Sequence, residues 1–121
     1  MPVKVLAFSG SLRRASFNAA IVRIAAQGAK AAGADVTVVD LRDFAMPLFD
    51  QDLEQASGMP EPAKRFKDLL IAHQGFIIAS PEYNSSVTAA LKNAIDWASR
   101  PAPGEPSLVA FTGKTAALCA A

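Results

Sequence analysis

The segment Ser9-Gly10-Ser11-Leu12-Arg13-Arg14-Ala15-Ser16-Phe17-Asn18 separates two stretches with different hydrophobic periodicity. Residues 3–8 before it, VKVLAF, form a short and mostly apolar run, as expected of a buried strand. After it, apolar residues recur at helical spacing, at Phe17, Ile21, Ile24, Gly28 and Ala31 or Ala32. The sequence therefore predicts a strand, a polar loop and a helix over residues 17–32, in which Gly28 is expected to lie close against the sheet.

This loop has the chemistry of an anion site. The first N–H groups of a helix have no internal partner and lie at the positive end of its dipole, where phosphate binds. The loop adds hydroxyl, amide and guanidinium donors on Ser11, Arg13, Arg14, Ser16 and Asn18. Gly10 would allow its backbone to approach a ligand closely. The same residues also suit an ordinary turn in which Ser16 only caps the helix, and the segment alone leaves both interpretations open.

Two other phosphate-binding motifs are excluded. The dinucleotide fingerprint G-x-G-x-x-G needs three glycines in this loop, which contains only Gly10. Gly113-Lys114-Thr115 resembles the end of a P-loop, but the earlier glycine of that motif would fall on Leu108. We therefore interpret the triplet as a turn and expect neither a dinucleotide-binding Rossmann site nor a nucleotide triphosphatase.

Composition predicts one small globular domain over residues 1–121, because 51% of the 121 residues are hydrophobic and 19% are charged. The formal net charge of +1 disfavours nucleic acid and membranes as partners and favours a small molecule.

Nothing resembles a signal peptide, so a cytoplasmic location is expected. The single Cys119 is expected to be a buried strand residue, and the single His73 lies near a helix C-terminus, where a catalytic role is not expected. The acidic residues of 41–62 have no histidine or second carboxylate cluster at metal-ligand spacing, so we predict no metal site.

The remaining periodicity predicts strands and helices in alternation. They are a strand at residues 36–39, a helix at 63–73, a strand at 75–80, a helix at 87–99 and a strand from 115 onward. Residues 41–62, with three prolines, are expected to be irregular. In the last helix the inward residues would be Leu91, Ala94, Ile95 and Ala98, and Trp97 is expected to serve core packing. The first strand, helix and second strand form a right-handed βαβ unit, which predicts a parallel sheet.

A second polar loop, Pro81-Glu82-Tyr83-Asn84-Ser85-Ser86, follows the third strand. Because the carboxyl ends of parallel strands meet at one edge, both loops are expected at that edge, where open α/β sheets bind ligands. Tyr83 offers an apolar ring with a polar tip, and Pro81 has no N–H that needs a partner. The alternative for Tyr83 and Asn84 is a helix start capped by the Asn84 side chain.

Both loops resemble those of one known family. Residues 10–18 match the phosphate loop G-S-L-R-x-x-S-x-N, and residues 81–84 with 91–97 match P-E-Y-N…L-K-N-A-I-D-W. The chain thus resembles the flavodoxin-like NADPH-dependent FMN reductase family, which includes quinone, chromate and azo-compound reductases. The resemblance implies an α/β fold, an open parallel sheet in the order 2-1-3-4 with helices on both faces.

The resemblance also implies cofactors and site residues. FMN would be bound through its phosphate and ribityl chain by Ser11, Arg13, Ser16, Phe17 and Asn18. Its isoalloxazine ring would be lined by Pro81, Glu82, Tyr83 and Asn84. Hydride from NADPH or NADH would pass to flavin N5 and then to a quinone, chromate or azo compound, and no side chain would have to act as nucleophile or metal ligand. Similar proteins are usually homo-oligomers, so a homodimer or homotetramer is expected.

Family members usually continue beyond the fourth strand, with a further loop, strand and helices. The chain is therefore expected to be truncated at the C-terminus, with its last strand and helices absent and with weakened FMN binding. Two other functions stay open at this point. One is a flavodoxin-type electron carrier, although such carriers tend to be strongly acidic and the net charge here is +1. The other is a flavin-free fragment or assembly subunit.

Overall fold

The structure, a computed structural model, describes residues 2–13 and 16–120. In chain order its elements are β1 (Lys4–Ser9), α1 (Phe17–Ala31), β2 (Asp35–Asp40), a 3₁₀ turn (Leu41–Asp43), α2 (Gln51–Ser57), α3 (Glu61–Ala72), β3 (Gly75–Ala79), α4 (Ala89–Ala98) and β4 (Thr115–Cys119). Within these residues the strands form one parallel sheet in the order β2-β1-β3-β4. The predicted sheet and its order are confirmed.

Helices cover both faces of the sheet. Because side chains alternate along a strand, Leu6 and Phe8 of β1 face one side and Ala7 faces the other. The sheet face that carries Leu6 and Phe8 packs against α3 and α4. On this face the rings of Phe8 and Phe66 meet edge to face, with their centroids 5.3 Å apart. The Ala7 side packs against Val22 of α1. The register pairs Ser9 with Ala79, so the loops that follow β1 and β3 leave the sheet side by side.

The buried stripe of α1 differs from the predicted one. Phe17 and Ile24 are 72% and 68% exposed, and the buried residues of the helix are Asn18, Val22 and Ala26. A side chain on Gly28 would meet nothing within 4 Å, so close contact with the sheet does not explain this glycine. Because α1 is rich in alanine, more than one of its faces has apolar residues at helical spacing. The face that packs on the sheet is the one with the smaller residues Val22 and Ala26, which allow the helix to approach the sheet closely.

The sequence analysis expected residues 41–62 to be irregular, but the structure has a helix, α2, within them. The Asp50 side chain accepts a hydrogen bond from Asp52 N at 2.9 Å and caps α2, whose first turn also carries Glu54. Carboxylates at these positions favour a helix start. The prolines of this region lie outside α2, which ends before Gly58 at a φ of 74°.

Trp97 serves packing, as predicted. Its side chain is fully buried, and its Nε1 donates to Pro47 O at 2.8 Å. It takes an inward position on α4 beside Leu91, Ala94 and Ala98, whereas Ile95 is only partly buried. The indole therefore ties α4 to the segment between β2 and α2.

Cys119 of β4 is less buried than predicted. Cys119 is half-buried, and Leu118 is 77% exposed. The reason is that β4 forms an edge of the described sheet and pairs only with β3 there. The preceding Gly113-Lys114 is a turn, as predicted, with a φ of 77° at Gly113. Lys114 Nζ donates to Leu70 O and Ile71 O at the end of α3, so this lysine is not placed to bind a nucleotide.

Candidate functional site

The loop after β1 and the segment after β3 meet at the carboxyl edge of the sheet. Gly10 N donates to Ala79 O at 2.7 Å, and Thr88 Oγ1 donates to Gly10 O at 2.5 Å. A Cβ built on Gly10 would lie 2.8 Å from Ser80 Oγ and 3.2 Å from Leu91 Cβ. The sequence analysis expected Gly10 to make room for a ligand. The structure instead shows that it makes room for Ser80 and α4.

Hydroxyl groups organise the first loop. Ser9 Oγ accepts from Ser11 N at 3.0 Å, and Ser11 Oγ accepts from Arg13 N at 3.1 Å. Ser16 Oγ accepts from Asn18 N at 3.1 Å and from Ala19 N at 3.3 Å, so Ser16 caps α1. Each hydroxyl accepts these bonds with its lone pairs and also has an O–H that can donate. Capping by Ser16 is thus compatible with a binding role.

Both helices that start at this edge lack acidic residues in their first turns. The first turns of α1 and α4 contain no Asp or Glu, whereas those of α2 and α3 do. The positive ends of the α1 and α4 dipoles are therefore not offset by carboxylates of their own first turns. Arg13, an exposed cation, precedes α1. Arg14, the second predicted cation, lies outside the described residues.

A cavity of about 470 Å³ opens beside the first loop on the β2 side. Of the predicted residues it brings together Ser11 and Arg13, along with Ser9, Arg23 and Asp40. Phe17 projects into solvent and Asn18 is buried, so neighbouring predicted residues lie on different sides of α1. The residues of the second loop do not line this cavity.

A second cavity of about 490 Å³ also borders the first loop and shares Phe44 with the polar cavity. Its lining is mostly apolar and includes Leu12, Phe44, Met46, Leu48 and Ala90. The first loop is therefore flanked by a polar cavity and an apolar one.

The second loop forms a tight reverse turn that presents Tyr83. Tyr83 N donates to Ser86 O at 2.9 Å, and Ser86 N donates to Tyr83 O at 3.1 Å. The two central residues, Asn84 and Ser85, have φ angles of 52° and 64°, as in a type I′ turn. Tyr83 is 53% exposed, Glu82 and Asn84 are exposed, and Pro81 is half-buried. Helix α4 is capped by Thr88, which rules out the alternative of a helix start capped by Asn84.

Ion pairs lie at the other end of α4. Arg100 and Glu54 form two hydrogen bonds, Nε to Oε2 at 2.9 Å and Nη2 to Oε1 at 3.0 Å. The buried Lys67 donates from Nζ to Glu105 and, at 2.8 Å, to Arg100 O. The hydrogen bond from Lys67 lowers the pKa of Glu105, and the hydrogen bond with Glu54 raises the pKa of Arg100. Since α4 runs away from the loop edge, these charges stabilise the fold away from the candidate site.

A family model for NADPH-dependent FMN reductase matches residues 3–121. The chain belongs to this family. A curated relative, an NAD(P)H-dependent FMN reductase from Pseudomonas aeruginosa, is 41% identical over 119 residues, which cover 98% of this chain and 60% of that protein. An NADPH:quinone oxidoreductase from Arabidopsis thaliana is 37% identical over 116 residues, which cover 92% of this chain and 58% of that protein.

Solved structures agree with this assignment. The flavoenzyme NAD(P)H:(acceptor) oxidoreductase FerB from Paracoccus denitrificans matches with a TM-score of 0.75 at 30% identity, covering 98% of this chain and 60% of that one. The resemblance inferred from the two loops and the flavodoxin-like fold are therefore confirmed. This member of the FMN reductase family spans about half to 60% of the length of the curated relatives it matches.

Two residues of this edge were absent from the predicted set. Ser80 packs where a side chain on Gly10 would lie, and Thr88 donates a hydrogen bond to Gly10 O. Neither residue belongs to the motifs that carried the resemblance to the FMN reductase family. Thr88 had a detectable signal, because a threonine before a helical apolar pattern is a common N-cap. Within the described ranges, no group of three or more His, Cys, Asp or Glu side chains could hold a metal ion, and no helix is long and apolar enough to cross a membrane.

Proposed function

We propose that this chain binds FMN between its two loops and transfers electrons from NADPH or NADH to a small acceptor. The observation that carries the proposal is the contact of Gly10 with Ala79 and Thr88, which brings the loops together at one edge of the sheet. Membership of the FMN reductase family supplies the identity of the cofactors. We further propose that residues 1–121 act as one FMN-binding domain, in the cytoplasm and as a homodimer or homotetramer.

The first loop fits the phosphate end of FMN. Its donors are the hydroxyls of Ser11 and Ser16 and the guanidinium of Arg13, at a helix start with no acid in its first turn. Phe17 and Asn18 complete the proposed set, with the exposed Phe17 ring available to cover the ribityl chain. Donors of this kind suit a phosphate dianion, which accepts several hydrogen bonds at once.

The second loop fits the ring end. We propose that Pro81, Glu82, Tyr83 and Asn84 line the isoalloxazine. The exposed Tyr83 offers a flat apolar surface, Asn84 offers an amide donor and acceptor, and the half-buried Pro81 stiffens the backbone. A planar heterocycle with polar edges needs this combination of apolar contact and hydrogen bonding.

When bound, FMN would supply the redox chemistry, taking a hydride at N5 from the nicotinamide and passing electrons to the acceptor. The chain's share is to hold and orient the partners and to favour negative charge near the α1 and α4 N-termini. We propose quinones as acceptors, because a relative that is 37% identical is named a quinone oxidoreductase. Chromate and azo compounds complete the proposed range.

The test is an FMN titration of the purified chain followed by NADPH oxidation with a benzoquinone. We expect saturable binding of one FMN per chain and quinone-dependent oxidation of NADPH. A folded chain that binds FMN but oxidises no NADPH or NADH would be an electron carrier, and one that binds no flavin would be a flavin-free fragment. Either result would overturn the proposal.

A further inference from the structure

We propose that Thr88 is a positioning residue for the FMN site, because its hydroxyl group joins the first loop to the start of α4, directly after the second loop. This inference rests on the proposed function. Thr88 is only 2% exposed and lies one residue before α4. It belongs to neither the phosphate loop nor the four residues proposed at the isoalloxazine ring.

The Thr88 hydroxyl makes a hydrogen bond in each direction. Its oxygen accepts from Leu91 N at 3.1 Å, which caps α4. Its O–H donates to Gly10 O at 2.5 Å, across 78 residues of sequence. A hydroxyl has one donor and two acceptor lone pairs, so both bonds can exist together. The start of α4 is therefore fixed relative to the first loop.

The bond to Gly10 sets the direction of the peptide that leads into the phosphate loop. In a planar trans peptide the C=O of Gly10 and the N–H of Ser11 lie in one plane and point in opposite directions. Thr88 holds the C=O, and Ser9 Oγ accepts from the N–H at 3.0 Å. Gly10 N is also bound, to Ala79 O. With both peptide groups of Gly10 fixed, the orientation of Ser11 and the course of the chain towards Arg13 are fixed as well.

Substitutions at position 88 separate the two uses of the hydroxyl. Serine can both cap α4 and donate to Gly10 O. Aspartate caps a helix at least as well as threonine, but its carboxylate has no hydrogen to donate. Valine has nearly the shape of threonine and can do neither. Loss of the donor leaves the carbonyl of the buried Gly10 without a hydrogen-bond partner. A buried acceptor without a partner destabilises the folded state, because it has lost its hydrogen bonds to water as well.

The experiment measures two quantities for the wild type, Thr88→Ser, Thr88→Asp and Thr88→Val. One is the dissociation constant for FMN from quenching of flavin fluorescence. The other is amide hydrogen exchange, without flavin, in peptides that cover residues 9–13 and 89–98. Asp50→Ala is the matched control, because it removes the N-cap of a different helix, α2, which belongs to neither loop.

We expect Thr88→Ser and Asp50→Ala to bind FMN within about twofold of the wild type. Thr88→Val should weaken binding by about tenfold or more, as expected for one buried hydrogen bond. Thr88→Asp should weaken it by at least as much, because its carboxylate also offsets the positive end of the α4 dipole, so the exchange measurement without flavin is the one that isolates the lost donor. Exchange at residues 9–13 should be faster in both, whereas exchange at residues 89–98 should stay slow in Thr88→Asp.

Wild-type affinity and slow exchange at residues 9–13 in Thr88→Asp would overturn the inference, since capping alone would then account for Thr88. Wild-type behaviour of Thr88→Val would overturn it as well. If the wild-type chain binds no FMN, the proposed function fails. The exchange comparison then still decides whether Thr88 positions the first loop.

Discussion

Ser80 Oγ occupies the space that a side chain on Gly10 would need, 2.8 Å from the position of a Cβ on that residue. The first loop and the end of β3 are thus packed to backbone contact. This relationship explains why the two polar loops form one edge and do not splay apart. It also makes the edge sensitive to a single methyl group.

Gly10→Ala should therefore lower both stability and FMN affinity. We expect a loss of about 1–3 kcal/mol in the free energy of unfolding, typical of overpacking. Gly28→Ala is the control, because its Cβ would meet nothing within 4 Å and alanine favours a helix by up to about 1 kcal/mol over glycine. Urea unfolding and FMN titration measure both variants. Unchanged stability of Gly10→Ala would mean that Ser80 and Leu91 can move aside.

Arg13→Gln should weaken FMN binding through the phosphate alone. Loss of a charge-assisted hydrogen bond of about 1.5–3 kcal/mol corresponds to roughly 10–100-fold in affinity. Riboflavin, which lacks the phosphate, should bind the variant and the wild type equally. Lys30→Gln removes an exposed charge at the far end of α1 and should have no effect. Equal losses for FMN and riboflavin would show that Arg13 does not contact the phosphate.

Ser85→Gly should stabilise the chain, because Ser85 has a φ of 64° that glycine adopts without strain. The left-handed conformation costs a non-glycine residue about 1 kcal/mol or more. Glycine removes this strain, but its greater conformational freedom in the unfolded chain offsets part of the gain in stability. A rise in the urea midpoint is the expected outcome. Ser86→Gly, at a neighbouring position without a positive φ, should instead lower the midpoint. The opposite order would place the strain elsewhere in the turn.

Glu105→Gln should destabilise the chain in a pH-dependent way. The hydrogen bond from Lys67 lowers the pKa of Glu105 below its ordinary value of 4.5. A lowered pKa in the folded state gives stability that is present above pH 4.5 and is lost as the pH falls through the folded-state pKa. The difference in melting temperature between variant and wild type should therefore be largest at neutral pH and shrink on acidification. Glu61→Gln, in the exposed pair with Arg65, should change little at any pH.

Parallel topology made most of the fold and the location of the site predictable. The first and third predicted strands were short, apolar and each followed by a polar loop and a helical pattern, so the carboxyl ends of these parallel strands were expected at one edge. The motifs at residues 10–18 and at 81–84 with 91–97 then identified the family, because they match its phosphate loop and its flavin loop and helix.

Features that depend on three-dimensional contact escaped prediction. The buried stripe of α1 was ambiguous because alanines give the helix several apolar faces. The predicted order 2-1-3-4 already placed β4 at the edge, and the expected burial of Cys119 was wrong because the strand was judged by its apolar sequence and not by that position. The bond from Thr88 to Gly10 joins residues too far apart in sequence for any local pattern to reveal it.

The central claim is that one flavin is bound by both loops at once. Backbone amide shifts in an NMR titration of the chain with FMN test it most directly. We predict that residues 10–13 and 16–19 of the first loop and residues 82–86 of the second shift together, with one dissociation constant. Shifts confined to one loop, or centred on the apolar cavity around Met46 and Ala90, would contradict the account.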